Sequence, residues 1–269
     1  MNQFYFLFVI VINSIIIYLF SLQYFDHPES FKLEPVYPAT KTSKIESLCP
    51  KIIYQIVPNI NNVPSGLYYT IKHHIFLNPE FEYRIYDYDS ALEILKKDFT
   101  SDVVDAFLST TANKLKTDYI KLAFISKYGG FFIDITRLMH IKVIHLLKVN
   151  NVFFVHNLET NTIDLSLLVS HPDNLAILNS FNTATKNLLN KDYKDNPHAI
   201  TGGKLLGDQL FNLGYLVNFT LMYMDKEDNI RLRGNEMLIA KIYKSFPKEN
   251  FTHNLLPDIR TLWNEKLIY

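Results

Sequence analysis

The chain has 269 residues, with 27 Lys and Arg against 27 Asp and Glu, and a single cysteine. Balanced charge removes the electrostatic case for nucleic acid as a partner, and Cys49 alone cannot form an internal disulfide. The length beyond any N-terminal segment suits one domain with a full-sized core, in which most of the 17 Tyr and 20 Phe are expected as packing.

Phe4 to Phe20 carries no charge and is apolar apart from Asn13, Ser14, Tyr5 and Tyr18. A bilayer takes about 20 such residues, so residues 1–22 are expected as a transmembrane signal-anchor, single-pass and type II. The rest of the chain would then lie lumenal or extracytosolic, attached to the membrane through that helix. A cleaved signal peptide and a buried core helix are the other readings; no small-x-small cleavage site follows the run. Residues 23–48 are polar and interrupted by Pro28, Pro35 and Pro38, which predicts a stem or linker. Two sequons, Asn218-Phe-Thr220 and Asn250-Phe-Thr252, permit glycosylation of a lumenal domain.

The folded domain is expected over 49–269. Lys51 to Ile56 reads as a buried strand and Leu67 to Phe76 as a helix ended by Asn78-Pro79. Tyr83 to Tyr88 alternates like a strand. Ser90, with Glu93 three residues on, predicts a capped helix towards Lys97. Helices are expected over Ser101–Leu108 and Lys114–Tyr128, then a strand over Phe131–Ile135. Val152–His156 and Leu165–Ser170 read as strands; Asp173–Leu189 and Lys204–Leu213 read as helices. Strands alternating with helices predict an α/β fold with a mainly parallel central sheet.

The most informative stretch runs from Lys116 to Thr136: an amphipathic helix, Gly129-Gly130, and a short apolar strand that ends on Asp134. Asp118 then lies near the helix start and Asp134 at a strand's C-terminal end, where ligands of open α/β sheets bind. Asp118 and Lys121 share a helix face. Gly129 and Gly130 suit a helix terminus and also a close approach of backbone to a ligand. Thr136, two residues beyond Asp134, faces the same way.

This segment resembles the Asp-x-x-Arg…Tyr-Gly-Gly-x-Tyr-x-Asp-x-Asp signature of glycosyltransferases that use nucleotide sugars. That group includes the yeast-type initiating mannosyltransferases, the capsular polysaccharide synthesis proteins and the clostridial glucosylating toxins. Pro50-Lys-Ile-Ile-Tyr-Gln-Ile-Val57 is similar to the family's Pro-Lys-Ile-Ile-His-Gln-Ile-Trp, with Tyr54 for His and Val57 for Trp. Asn78-Pro-Glu-Phe-Glu-Tyr-Arg-Ile-Tyr86 is similar to a scaffold stretch of the same family. At the C-terminus, His253, Asp258 and Thr261-Leu-Trp263 resemble its closing His or acid and Ser-x-Trp. Thr201-Gly-Gly203 resembles its Thr-Gly-Pro.

The resemblance implies a GT-A type nucleotide-sugar-binding fold and a retaining hexosyltransferase. Its partners would be a UDP- or GDP-sugar donor and a glycan or glycoconjugate acceptor. Asp134 and Asp118 are implied as catalytic. Tyr54, Ile56, Val57, Asp118, Lys121, Gly129, Gly130, Asp134, Thr136, Thr261 and Trp263 are implied as donor-binding. A divalent metal, Mn2+ or Mg2+, is implied on Asp134, His253 and Asp258. Thr136 stands where the family has its second aspartate and Lys121 where it has arginine. Those departures also fit an alternative, a catalytically degenerate membrane protein that binds a sugar or nucleotide without turnover.

Overall fold

The computed structural model describes residues 30–216, 218–234, 236–242 and 259–269. The apolar run at 4–20 lies outside these residues, and no described helix is long and apolar enough to cross a membrane. The first strands are β1 (Ser30–Phe31), β2 (Val36–Tyr37), β3 (Ile52–Ile56) and β4 (Val63–Pro64). Helix α1 (Ser65–Leu77), strand β5 (Glu82–Tyr86) and helices α2 (Tyr88–Asp98), α3 (Ser101–Ser109) and α4 (Asn113–Tyr128) follow. Then come β6 (Gly130–Ile133), β7 (Arg137–Met139), β8 (Phe153–Asn157), β9 (Thr162–Ser170), α5 (Leu175–Leu189) and α6 (Gly203–Leu213). The chain finishes through β10 (Thr220–Met224), β11 (Ile230–Leu232), β12 (Leu238–Ile242) and α7 (Ile259–Asn264).

Ten strands form one sheet in the order β2-β5-β3-β6-β9-β8-β10-β11-β12-β7. Pairing is parallel at β3–β5, β3–β6 and β8–β10 and antiparallel elsewhere. The α/β expectation is met, but the sheet is mixed rather than mainly parallel. The reason lies in the connections: helical crossovers join β3, β5 and β6, and two helices also lead from β9 to β10, which runs parallel to β8. Beyond them the chain turns back on itself, as the hairpins β8–β9 and β10–β11 show.

The central strands are buried on both faces, which is why they read as unbroken apolar runs. Tyr54, Phe132, Phe154 and Leu168 pack on the helix-covered face, while Ile53, Phe131, Ile133, Phe153, Val155, Leu167 and Val169 pack on the other. Helix α4 is buried nearly all round, from Asp118 to Ser126 without interruption, so its charged residues enter the interior.

Two local expectations change. The cap of α2 is Asp87, which accepts from the Ser90 backbone N–H, while the Ser90 hydroxyl accepts from the Asp87 N–H. Ser90 is therefore the third helical residue, and Glu93 pairs with Lys96 on the surface. The expected stem also joins the folded unit from Ser30 onward. β2 extends the sheet beside β5, and Leu33, fully buried, donates its backbone N–H to Ile60.

At the start of α6, Gly203 leaves no room for a side chain, since an added Cβ would meet the Ile163 carbonyl oxygen at 1.6 Å. Backbone cannot yield as a flexible side chain does. Gly203→Ala is therefore expected to exceed ordinary overpacking and destabilise by at least about 3 kcal/mol. A urea midpoint unchanged from wild type would show that α6 shifts freely.

Candidate active site

β3 lies between β5 and β6, and all three run parallel, so the sequence order β3, β5, β6 reverses direction in the sheet at β3. Such a switch point opens a crevice beyond the C-terminal strand ends. The register Tyr54 to Phe132 carries forward to set Ile56 level with Asp134. The N-terminal half of α4 borders this crevice. Its residues Lys114, Asp118 and Lys121 follow helical spacing on one face.

The Lys121 ammonium donates to Asp134 Oδ2 at 2.8 Å and stands 3.6 Å from Asp118 Oδ1. It is fully buried and lies over the Phe132 ring, two residues before Asp134 on the same strand face. Asp134 Oδ1 accepts from both the backbone N–H and the hydroxyl of Thr136, at 3.0 and 2.9 Å. Thr136 thus orients the carboxylate. Burial alone would raise the Asp134 carboxyl. The attraction of Lys121 and then Lys114, with hydrogen bonds from Lys121 and Thr136, holds it well below the usual carboxylate range.

Lys114 reaches Asp118 Oδ1 at 3.0 Å; its side chain is 45% exposed, whereas that of Asp118 is 2% exposed. Burial opposes its charge, but Asp118, then Asp134, and more weakly Asp164, raise the ammonium above its usual range. Tyr88 closes one side, its hydroxyl 2.9 Å from that of Thr117. On the other side Arg137 donates to the Ser166 hydroxyl and the Asp228 carbonyl, and stands 3.8 Å from Asp164. Gly202 lies against the buried acid: a Cβ there would come 3.3 Å from Asp118 Oδ2. The neighbouring Thr201 is fully buried, and its hydroxyl finds no partner among the described residues.

The structure brings together Asp118, Lys121, Asp134 and Thr136, with Ile56 at the same sheet edge. Other expected donor-binding residues lie elsewhere. Gly129 caps the end of α4 and Gly130 opens β6, about 13 Å along the strand from Asp134. They end α4 with φ of 65° and 103°, and added Cβ atoms would strike Pro172, Pro50 and the Ile52 carbonyl. Their role is to turn the chain and permit close backbone packing, away from the crevice. Tyr54 is a core residue packed edge-on against Phe124. Val57 is fully buried in the separate cluster beneath α1. Trp263 donates its indole N–H to the Tyr193 carbonyl at 2.6 Å, and Thr261 sits on the exposed side of α7. His253 and Asp258 lie outside the described residues.

Among the described residues, the crevice has a poor donor set for a divalent cation. Asp134 Oδ2 faces an ammonium, Asp134 Oδ1 accepts two hydrogen bonds, and Asp118 is paired with two lysines. A hard cation wants several free oxygens. Among the described residues, no three His, Cys, Asp or Glu side chains group closely enough to hold one. A literal Asp-x-Asp does occur at Asp87-Tyr-Asp89, at the end of β5. There Asp87 is taken up as the cap of α2 and also accepts from the Ile60 N–H.

Residues 64–154 match the family model described as the glycosyltransferase sugar-binding region containing a DXD motif. No curated protein matches the chain. Five solved chains match. One is described as "PaToxG Glycosyltransferase", with 14% identity, a TM-score of 0.46, and coverage of 61% of this chain and 68% of that one. The matched stretch contains α4, β6 and the Asp134–Thr136 turn. Over that stretch the chain is similar to the sugar-binding region of the DXD-containing glycosyltransferases.

Proposed function

We propose that the enzyme moves a hexose from a UDP- or GDP-sugar to a hydroxyl of a glycan or glycoconjugate, with retention at the anomeric carbon, on a GT-A type fold. The observation that carries this reading is the Lys121-bridged pair Asp118 and Asp134, set at the switch point of the sheet. Two carboxylates fixed in one orientation accept hydrogen bonds from sugar or ribose hydroxyls without reorganising. Asp118 takes the donor sugar; Asp134, at the strand end, takes the ribose or sugar. Transfer breaks the bond from the anomeric carbon to phosphate and forms one to the acceptor oxygen. The acceptor proton departs with the nucleoside diphosphate.

A divalent metal is the cofactor expected of this family, and the described donor set does not fit it. The buried Thr201 hydroxyl beside Gly202, which has no partner among the described residues, supports a role for that turn in shaping the acceptor side. In this reading residues 1–22 anchor the chain as a type II membrane protein, and residues 49–269 act outside the cytosol.

The test is a screen of the full-length chain in detergent against UDP- and GDP-hexoses, following hydrolysis and transfer, with Asp134→Asn as control. Turnover above background with one donor class, lost in the variant, is the expected result. Binding without turnover would point to a sugar-binding role instead, and no binding would sink the donor assignment.

A further inference from the structure

The described residues of the crevice do not suit a divalent cation, yet a diphosphate leaving group needs positive charge beside it. Lys114 is the one described cation at this site that combines contact with a site carboxylate and exposure to solvent. Its ammonium is 3.0 Å from Asp118, its side chain is 45% exposed, and it lies within electrostatic reach of Asp134 and Asp164. Lys121 is fully buried against Asp134 and cannot reach an incoming ligand without breaking that pair. Arg137 is buried and held by Ser166 and the Asp228 carbonyl.

We infer that Lys114 supplies the positive charge that meets the donor's diphosphate, so that nucleotide binding here needs no divalent metal. The inference rests on the reading of the crevice as a nucleotide-sugar site. Asp118, Asp134 and Asp164 form no group among the described residues that could hold a metal ion, but all three act on one tethered ammonium. The site thus carries its cation on a side chain. Thr136 agrees with this arrangement: it presents a hydroxyl donated to Asp134 rather than a second carboxylate. The ammonium keeps its charge across the physiological range because the surrounding acids raise it.

The experiment is calorimetric titration of UDP and GDP into the full-length chain, in EDTA and then in Mn2+, for wild type, Lys114→Met and Lys114→Arg. One nucleotide is expected to bind wild type equally in both conditions. Lys114→Met should weaken binding in EDTA about tenfold or more, the loss of one charge-assisted contact. Lys114→Arg should stay within a few-fold of wild type, which a purely structural lysine would not require. Because Lys114 is half-exposed, both variants are expected to fold; matching circular dichroism checks this. Binding by wild type that tightens tenfold in Mn2+ overturns the inference and leaves the donor-site reading intact. So does full binding by Lys114→Met in EDTA. Absence of binding in every condition brings down the donor-site reading, and the inference with it.

Discussion

Replacing Asp134 with asparagine is expected to lower kcat/KM for sugar transfer on the order of a thousandfold while leaving the chain folded. Asparagine keeps the size of the side chain and one oxygen that can accept from Thr136, so the turn after β6 has what it needs. What changes is the other atom. Where Oδ2 accepts from Lys121 at 2.8 Å, the amide nitrogen would present hydrogens to an ammonium. Either the amide turns and loses its bonds to Thr136, or Lys121 withdraws towards Asp118, 3.6 Å away. In both cases the acceptor atom fixed at the strand end is lost. Steady-state kinetics with saturating donor separates the outcomes: a fall in kcat marks an interaction made in the transition state, and a rise in KM alone marks simple binding. Activity within tenfold of wild type would reduce Asp134 to a scaffold residue.

The helix and strand that carry this site were legible because their patterns are local. Residues 114–128 show helical spacing, and Asp118 and Lys121 fall on one face by arithmetic alone; Lys114, one turn earlier, joins them only through its contact with Asp118. The apolar run to Ile133 ends abruptly on an acid. What the sequence did not disclose depends on contacts between distant segments. Arg137 and Asp164 join the site only because β9 pairs with β6 and the β10–β11 turn packs against it. The β10–β12 strands are short, and their period-two pattern spans too few residues to stand out.

The glycines misled for a physical reason. Gly129-Gly130 would look the same in sequence whether it admitted a ligand or a neighbouring backbone, and it admits Pro50, Pro172 and Ile52. Trp263 has the same ambiguity, and its N–H goes to the Tyr193 carbonyl. The stem boundary was missed because β2 is an edge strand of two residues whose partner, β5, lies far along the chain.

Lys121→Met is expected to cost about 3–5 kcal/mol of stability at neutral pH, a large share of the roughly 5–15 kcal/mol that holds a domain folded. The methionine fills the space, so the loss is electrostatic. Asp134 loses its direct ion-pair partner, and Asp118, 2% exposed, is left with Lys114 alone. The pH dependence tests this account. Asp134 has its folded pKa depressed, so its contribution is present above the unfolded value of about 3.9 and is lost as pH falls towards the lower folded value. Wild type therefore keeps the contribution through neutral pH and loses it in acid below about pH 4. In Lys121→Met the main cause of the depression is gone, burial raises the Asp134 carboxyl, and the group protonates at a higher pH. Protonation removes the uncompensated buried charge. The stability difference between the two proteins should thus be greatest at neutral pH and shrink as pH falls towards 4. Urea unfolding at several pH values between 4 and 8 measures it. A difference that stays constant across that range would mean that Lys121 acts through packing, and the electrostatic description of the Asp118–Lys121–Asp134 bridge would have to be abandoned.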